Sequence, residues 1–265
     1  MGKKKVDIGI IDDGVINDAS FREEDLEFLY RASNEDLRLF CDIVVKDKDG
    51  DYRFTENLSY TDEFKNNYPH NIKGMLESLV EEFREFGGNS FANIFRGSGP
   101  AYSEILRDVA KRNKVNFNRN STDEQVEQYL LQKLFNDSLN GASNEELKNM
   151  MEELGYPTTN FTRQAAISTL MIAWKAGGFK SYILLVSVVN AVMKFLVGRG
   201  LSIVANATMT RMASIMMGPI GWVLTALWTL VDIAGPAYRV TIPAVIQIAY
   251  IRQSVNHPSH LLPEL

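Results

Sequence analysis

The stretch IKGMLESLVEEFREF, residues 72–86, carries the clearest structural signal in the chain. Apolar side chains recur in it at steps of three and four residues, with charged residues between them, which is the spacing of one helix face. The apolar positions are Ile72, Met75, Leu76, Leu79, Val80, Phe83 and Phe86. The pattern predicts an amphipathic helix packed on a core, and the pair Gly87-Gly88 predicts where that helix ends.

Helical patterns continue on both sides of this stretch. Ser33 followed by Asp36 is typical of a helix start with an acidic first turn. Further helices are predicted around Tyr102–Val109, at Asp123–Phe135 and at Asn144–Leu154. The sequence therefore predicts an all-α fold with a helical-bundle head. The first 20 residues differ, because Val6, Ile8 and Ile10 alternate with other residues and favour a short β element or a tether.

Charge divides the chain into two unlike parts. Residues 1–163 hold 21 Lys and Arg against 31 Asp and Glu, a net charge of −10. Residues 164–265 hold 7 against 2, a net charge of +5. We therefore predict an N-terminal extension (1–20), an acidic helical head (21–155), an apolar basic helical region (160–255) and a polar tail (256–265). The overall charge of −5 disfavours a specific nucleic-acid partner.

The apolar region contains a 20-residue window, Met212–Val231, without a charged side chain. Twenty helical residues span roughly 30 Å, which is the thickness of the hydrocarbon core of a bilayer. Gly218-Pro219 lies inside the window, so the window forms either one kinked span or two shorter helices. A pair of helices buried in the core of a soluble protein would show the same composition.

The single cysteine and the start of the chain bear on the compartment. Cys41 lies in the apolar run RLFCDIVV, which predicts a buried structural thiol and excludes an internal disulfide. The start MGKKKVDIGIIDD has no apolar stretch long enough for a signal peptide, and Val6 does not fit the myristoylation pattern. We therefore expect a cytoplasmic protein at the inner face of the cytoplasmic membrane.

Three long motifs resemble one family. FGGNSFANIFRG (86–97), AYSEILRDVAKRNKVN (101–116) and GPAYRVTIPAVIQIAYIR (235–252) are similar to the YaaW family of uncharacterised bacterial proteins. Residues 21–50 resemble the small domain of unknown function that opens many members. The family carries a ubiquinol–cytochrome c chaperone-like label, and the resemblance supplies no catalytic residues.

Catalytic and cofactor motifs are not found. The three histidines, His70, His257 and His260, form no zinc spacing, and no HExxH or GxSxG motif occurs. No quinone- or haem-binding motif is present. We therefore expect no enzyme activity, no metal and no cofactor.

Two glycine-rich turns offer the nearest alternative to a site. Arg96, Ser98 and Gly99 precede a helix whose free N–H groups could hold an anion, although tight turns between helices explain the glycines as well. An undetected enzyme at this place would need Arg96, Tyr102, Glu104 and Asp108 to converge.

The apolar tail suggests contact with lipid. Met212–Val231 and Ile233–Ile251 could form a helical hairpin that leaves a soluble bundle at a membrane. We expect the contact to involve six residues: Arg211, Trp222, Trp228, Asp232, Arg239 and Arg252. Arg239 counts against simple insertion, because a charge in lipid is costly.

Two functions follow. The first is a membrane-associating protein that permeabilises the cytoplasmic membrane or scaffolds a complex on it, with membrane lipid as partner and an oligomer on the membrane as one form. The second is a soluble chaperone or assembly factor that binds apolar client segments.

Overall fold

A computed structural model of the chain describes residues 26–90, 99–198, 235 and 237–256. These residues form nine α-helices and three short 3-10 turns, Glu27–Arg31, Leu58–Tyr60 and Ile72–Met75. The α-helices are α1 Asn34–Val45, α2 Asp62–Asn67, α3 Leu76–Ser90, α4 Tyr102–Arg112, α5 Asp123–Gly141, α6 Asn144–Glu153, α7 Arg163–Ala176, α8 Gly178–Val197 and α9 Tyr238–Asn256.

The predicted all-α class is confirmed. Within the described ranges the β structure consists of one isolated bridge between Lys46 and Tyr52. The predicted β element of residues 6–10 lies outside the described residues.

Several helix starts follow from side-chain caps. The Ser33 hydroxyl accepts a hydrogen bond from the Asp36 N–H at 3.1 Å, so the predicted start of α1 is confirmed. At α5, Thr122 and Gln125 satisfy each other's backbone N–H groups in a capping box. These caps accept hydrogen bonds from backbone N–H groups that the first helical turn leaves without partners.

The predicted end of the helix at Gly87-Gly88 is wrong, because α3 continues through both glycines to Ser90. A Cβ atom on Gly87 would lie 2.5 Å from the Cδ1 atom of Ile105 on α4. The absence of a side chain lets α3 and α4 approach closely, so here the glycine serves helix packing rather than helix termination.

Helix α9 lies at the centre of the molecule. It contacts α1, α3, α4, α5, α8 and the first 3-10 turn, and an unbroken run of its residues, 240–251, is buried. A helix that is apolar all round is stable only when it is surrounded. Pro243 lies inside α9 and removes one backbone donor, yet the helix continues to Asn256 because its neighbours hold it.

The acidic head and the apolar region share one hydrophobic core. Cys41 is fully buried in that core, as expected, and burial raises the pKa of its thiol well above the ordinary value. Among the described helices, α8 is long and apolar enough to cross a membrane, but 72% of its apolar stretch is buried inside the protein. The window Met212–Val231 lies outside the described residues.

Candidate functional site

A groove of about 360 Å³ opens where α5, α7, α8 and α9 meet. We call it the four-helix groove. Its lining residues are Gln128, Leu131, Gln132, Trp174, Lys175, Gly177, Ser181, Tyr182, Leu185 and Gln253. The volume falls at the lower end of the range typical of ligand sites, about 300–1,000 Å³.

The sharp turn between α7 and α8 shapes one wall of the groove. Gly177 and Gly178 both have positive φ, 72° and 73°, a conformation that favours glycine. The indole of Trp174 stacks on Phe135 of α5, with ring centroids 4.5 Å apart. The Ser181 hydroxyl donates to the Trp174 carbonyl at 2.7 Å. The wall is therefore fixed by backbone geometry and aromatic packing.

The floor of the groove is apolar and its rim is polar without being acidic. Leu131 and Leu185 are buried at the floor, beside Trp174. Gln128 and Gln132 are four residues apart on α5, so their side-chain amides lie on the same face of that helix. This combination suits a ligand with an apolar body and a few hydrogen-bonding groups.

One rim group has an unused hydrogen-bonding atom. The side-chain amide nitrogen of Gln253 is buried and has no hydrogen-bond partner among the residues that the structure describes. A buried donor without a partner is costly, by about 1–3 kcal/mol. The nitrogen is closed to solvent, so a ligand in the groove would reach it only after the Gln253 side chain turns outward.

A buried polar cluster fixes α5 against α9 behind the groove. The Glu127 carboxylate accepts from Arg252 Nε at 2.7 Å and from the Tyr102 hydroxyl at 2.6 Å. The Arg252 guanidinium also lies over the Phe28 ring, 3.9 Å from its centroid. The side chain of Glu127 is completely buried, so the carboxylate depends on these two partners. The cluster ties α4, α5, α9 and the first 3-10 turn together.

Burial dominates the ionisation of this cluster. It raises the pKa of Glu127, and the charge of Arg252 opposes that rise only in part. It raises the pKa of Tyr102 well above the ordinary value, and the neighbouring Glu127 adds to the effect. For Arg252, burial lowers the pKa, but the attraction of Glu127 outweighs it and the pKa is raised.

The residues predicted to contact lipid fall in different places. Arg252 is partly buried and paired with Glu127, so its guanidinium is engaged within the protein. Arg239 is exposed at the start of α9, beside a second cavity of about 160 Å³ that Arg53 and Leu196 also line. The other four lie outside the described residues: Arg211, Trp222, Trp228 and Asp232.

Of the three residues in the predicted anion site, Gly99 alone lies within the part of the chain that the structure describes. A Cβ atom there would lie 2.5 Å from the backbone carbon of Arg84, so this glycine permits close approach between the loop and α3. Arg96 and Ser98 lie outside the described residues.

The convergence required for an enzyme at the glycine turns is not seen among the described side chains. Tyr102 points into the core toward Glu127, whereas Glu104 is exposed. Asp108 accepts from the Tyr238 hydroxyl at 2.5 Å, and Arg112 donates to the same hydroxyl at 3.1 Å. These contacts join α4 to the start of α9.

Sequence reasoning missed the groove and the buried cluster. Glu127 offered one signal, because it stands among Val126, Leu130 and Leu131 on the apolar face of α5. Its partner Arg252 is 125 residues away, a separation that no local pattern bridges. The break Gly177-Gly178 was the nearest sequence sign of the groove.

Two protein families match the chain. The family described as "Ubiquinol-cytochrome C chaperone" matches residues 73–246, which include every groove residue except Gln253. A domain of unknown function (DUF3944) matches residues 22–54. No solved structure matches the chain.

Several curated proteins are similar over most of their length. A UPF0174 protein of Helicobacter pylori strain J99 is 43% identical over 231 residues, covering 87% of this chain and 91% of that protein. A second UPF0174 protein of the same strain is 37% identical, covering 76% and 98%. The UPF0174 protein YaaW of Escherichia coli strain K12 is 28% identical, covering 88% and 95%.

Proposed function

The chain belongs to the UPF0174 (YaaW) family, and we propose that it is a non-enzymatic, chaperone-like protein that holds an apolar segment of a client polypeptide in the four-helix groove. The observation that carries the proposal is the lining of the groove. An apolar floor and three side-chain amides, one of which has a nitrogen without a partner among the described residues, suit a peptide better than a reacting small molecule.

Two further features support this proposal. The match to the ubiquinol-cytochrome C chaperone family covers residues 73–246 and so includes three of the four helices that form the groove. The apolar helices α8 and α9 are largely buried, and they therefore serve as the scaffold that shapes the groove.

The test measures binding of a fluorescein-labelled nonapeptide of leucine, valine and alanine to the full chain. Fluorescence anisotropy of the peptide reports the binding. Gln132→Trp places a large ring on the half-buried rim of the groove and should block it. Ser168→Trp adds the same ring to the exposed face of α7, which does not line the groove, and serves as the control.

We expect the wild type and Ser168→Trp to bind the peptide alike, and Gln132→Trp to lose at least tenfold in affinity. A tenfold loss of affinity corresponds to about 1.4 kcal/mol of binding free energy. Equal binding by all three proteins, each shown to be folded by circular dichroism, would remove the groove from the proposal.

A second candidate function is association with the inner face of the cytoplasmic membrane. It rests on the uncharged window Met212–Val231 and on the net charge of +5 over residues 164–265. The helix α8 adds little to it, because most of its apolar surface is buried. Nothing among the described residues supports pore formation, so the proposal is limited to association.

Flotation with sealed anionic vesicles tests this second candidate. If the window docks on lipid, the wild type floats and the double variant Trp222→Asp with Leu224→Asp stays at the bottom of the gradient. A wild type that remains at the bottom of the gradient would exclude membrane association, and the chaperone-like function would be the remaining candidate.

A further inference from the structure

The charge of the four-helix groove points to a particular class of client. We infer that the bound segment carries a carboxylate, either an acidic side chain or a free carboxyl terminus, which pairs with Lys175. This inference rests on the proposed function and adds the chemistry by which the groove selects its client.

Among the described residues that line the groove, Lys175 is the single charged one and none is acidic. The ammonium group is exposed, and no ion pair or hydrogen bond of Lys175 exists with any described residue. A lone cation over an apolar floor attracts an anionic group and disfavours a cationic one. The lining therefore discriminates by the sign of the ligand charge.

The neighbouring charges agree with a carboxylate at the Lys175 end. Arg252 is adjacent to Gln253 in sequence, but its charge is already engaged by Glu127 at 2.7 Å. Tyr182, which also lines the groove, hydrogen-bonds with Tyr250 at 3.3 Å, and burial raises the pKa of Tyr182, so this hydroxyl adds no charge at neutral pH.

The amides supply the second part of the recognition. The Gln253 amide nitrogen lacks an acceptor among the described residues, and a carbonyl group of an extended peptide would provide one once that side chain turns outward. Gln128 and Gln132 are spaced to meet further backbone groups of the same segment. A client held this way presents its carbonyls to the amides, its apolar side chains to the floor and its carboxylate to Lys175.

Three labelled nonapeptides test the inference. They share a leucine, valine and alanine host, an amidated carboxyl end and one variable central residue, which is Glu, Gln or Lys. A fourth peptide keeps Gln and has a free carboxyl end. The protein partners are the wild type, Lys175→Glu and the matched control Lys194→Glu, which makes the same charge change at an exposed site on α8 outside the groove.

We expect the wild type to bind the Glu peptide about two- to fivefold more tightly than the Gln peptide, the range for a solvent-exposed ion pair. Lys175→Glu should reverse the order and favour the Lys peptide, whereas Lys194→Glu should keep the wild-type order. A gain confined to the fourth peptide would assign the carboxylate to a chain end and would equally support the inference.

Two results would overturn it. If the wild type binds all four peptides with one affinity, the charge selection is wrong while groove binding stands. If no peptide binds, groove binding itself fails and the inference fails with it.

Discussion

At the scale of single residues, the most informative contact is the ion pair of Glu127 and Arg252, which joins α5 of the head to the central helix α9. Their side chains are 0% and 14% exposed, and the pair is 2.7 Å apart. Breaking a buried pair by removing one partner costs about 3–5 kcal/mol, whereas replacing both partners with apolar groups is often neutral. This difference leads to the first prediction, and the ionisation of Glu127 leads to the second.

The first prediction concerns Arg252→Met. It leaves a buried carboxylate without its cation, so the free energy of unfolding at neutral pH should fall by about 3–5 kcal/mol. The double variant Glu127→Gln with Arg252→Met should recover most of that loss. Urea denaturation followed by circular dichroism measures both, and a double variant no more stable than the single one would contradict the account.

The second prediction concerns pH. Burial raises the pKa of Glu127 above its ordinary value of 4.5, so the folded state binds this proton more tightly than the unfolded chain does. The stability that this proton contributes is complete below about pH 4.5 and is lost as the pH rises through the raised pKa. The wild type should therefore lose stability relative to Glu127→Gln over that interval.

Urea denaturation of both proteins from pH 4.5 to pH 8 tests this difference. If the wild type instead gains stability relative to Glu127→Gln as the pH rises, the attraction of Arg252 outweighs burial. The pKa of Glu127 is then lowered rather than raised, and the prediction is wrong.

At the scale of elements, close packing explains what the local sequence pattern did not. The stretch from 72 to 86 predicted a helix, which the structure has from Leu76 after a 3-10 turn at Ile72–Met75, but the end was misplaced because glycine also permits close helix contact. The stretch Asp47-Lys48-Asp49-Gly50-Asp51 is by contrast a polar turn held by local bonds, because the Asp47 carboxylate accepts hydrogen bonds from the N–H groups of Asp49, Gly50 and Asp51. Turns held by local hydrogen bonds can be predicted; contacts between helices cannot.

A pair of neighbouring glycines provides a matched test of that explanation. Gly87→Ala forces a methyl group to within 2.5 Å of buried Ile105, so we expect a loss of about 1–3 kcal/mol from overpacking. On Gly88 the nearest atom would be 3.5 Å away, so Gly88→Ala should stabilise the helix by up to about 1 kcal/mol. Equal effects on the melting temperature would refute the packing role of Gly87.

At the scale of the whole molecule, composition predicted the class of fold but not the arrangement. Periodicity over α3, α4, α5 and α6 was enough for an all-α fold, because each helix shows its apolar face locally. Composition could not tell a buried helix from a lipid-facing one, and α9 is buried at the centre. The groove joins residues from 128 to 253, so it exists only once α7, α8 and α9 are packed.

The central claim is that the four-helix groove holds an apolar client segment. Hydrogen–deuterium exchange of the full chain, with and without the nonapeptide that carries Glu, tests it most directly. The account predicts slower exchange in peptides spanning 128–132, 174–185 and the end of α9, with the rest of the chain unchanged. Slower exchange confined to other segments, or none at saturating peptide, would contradict it.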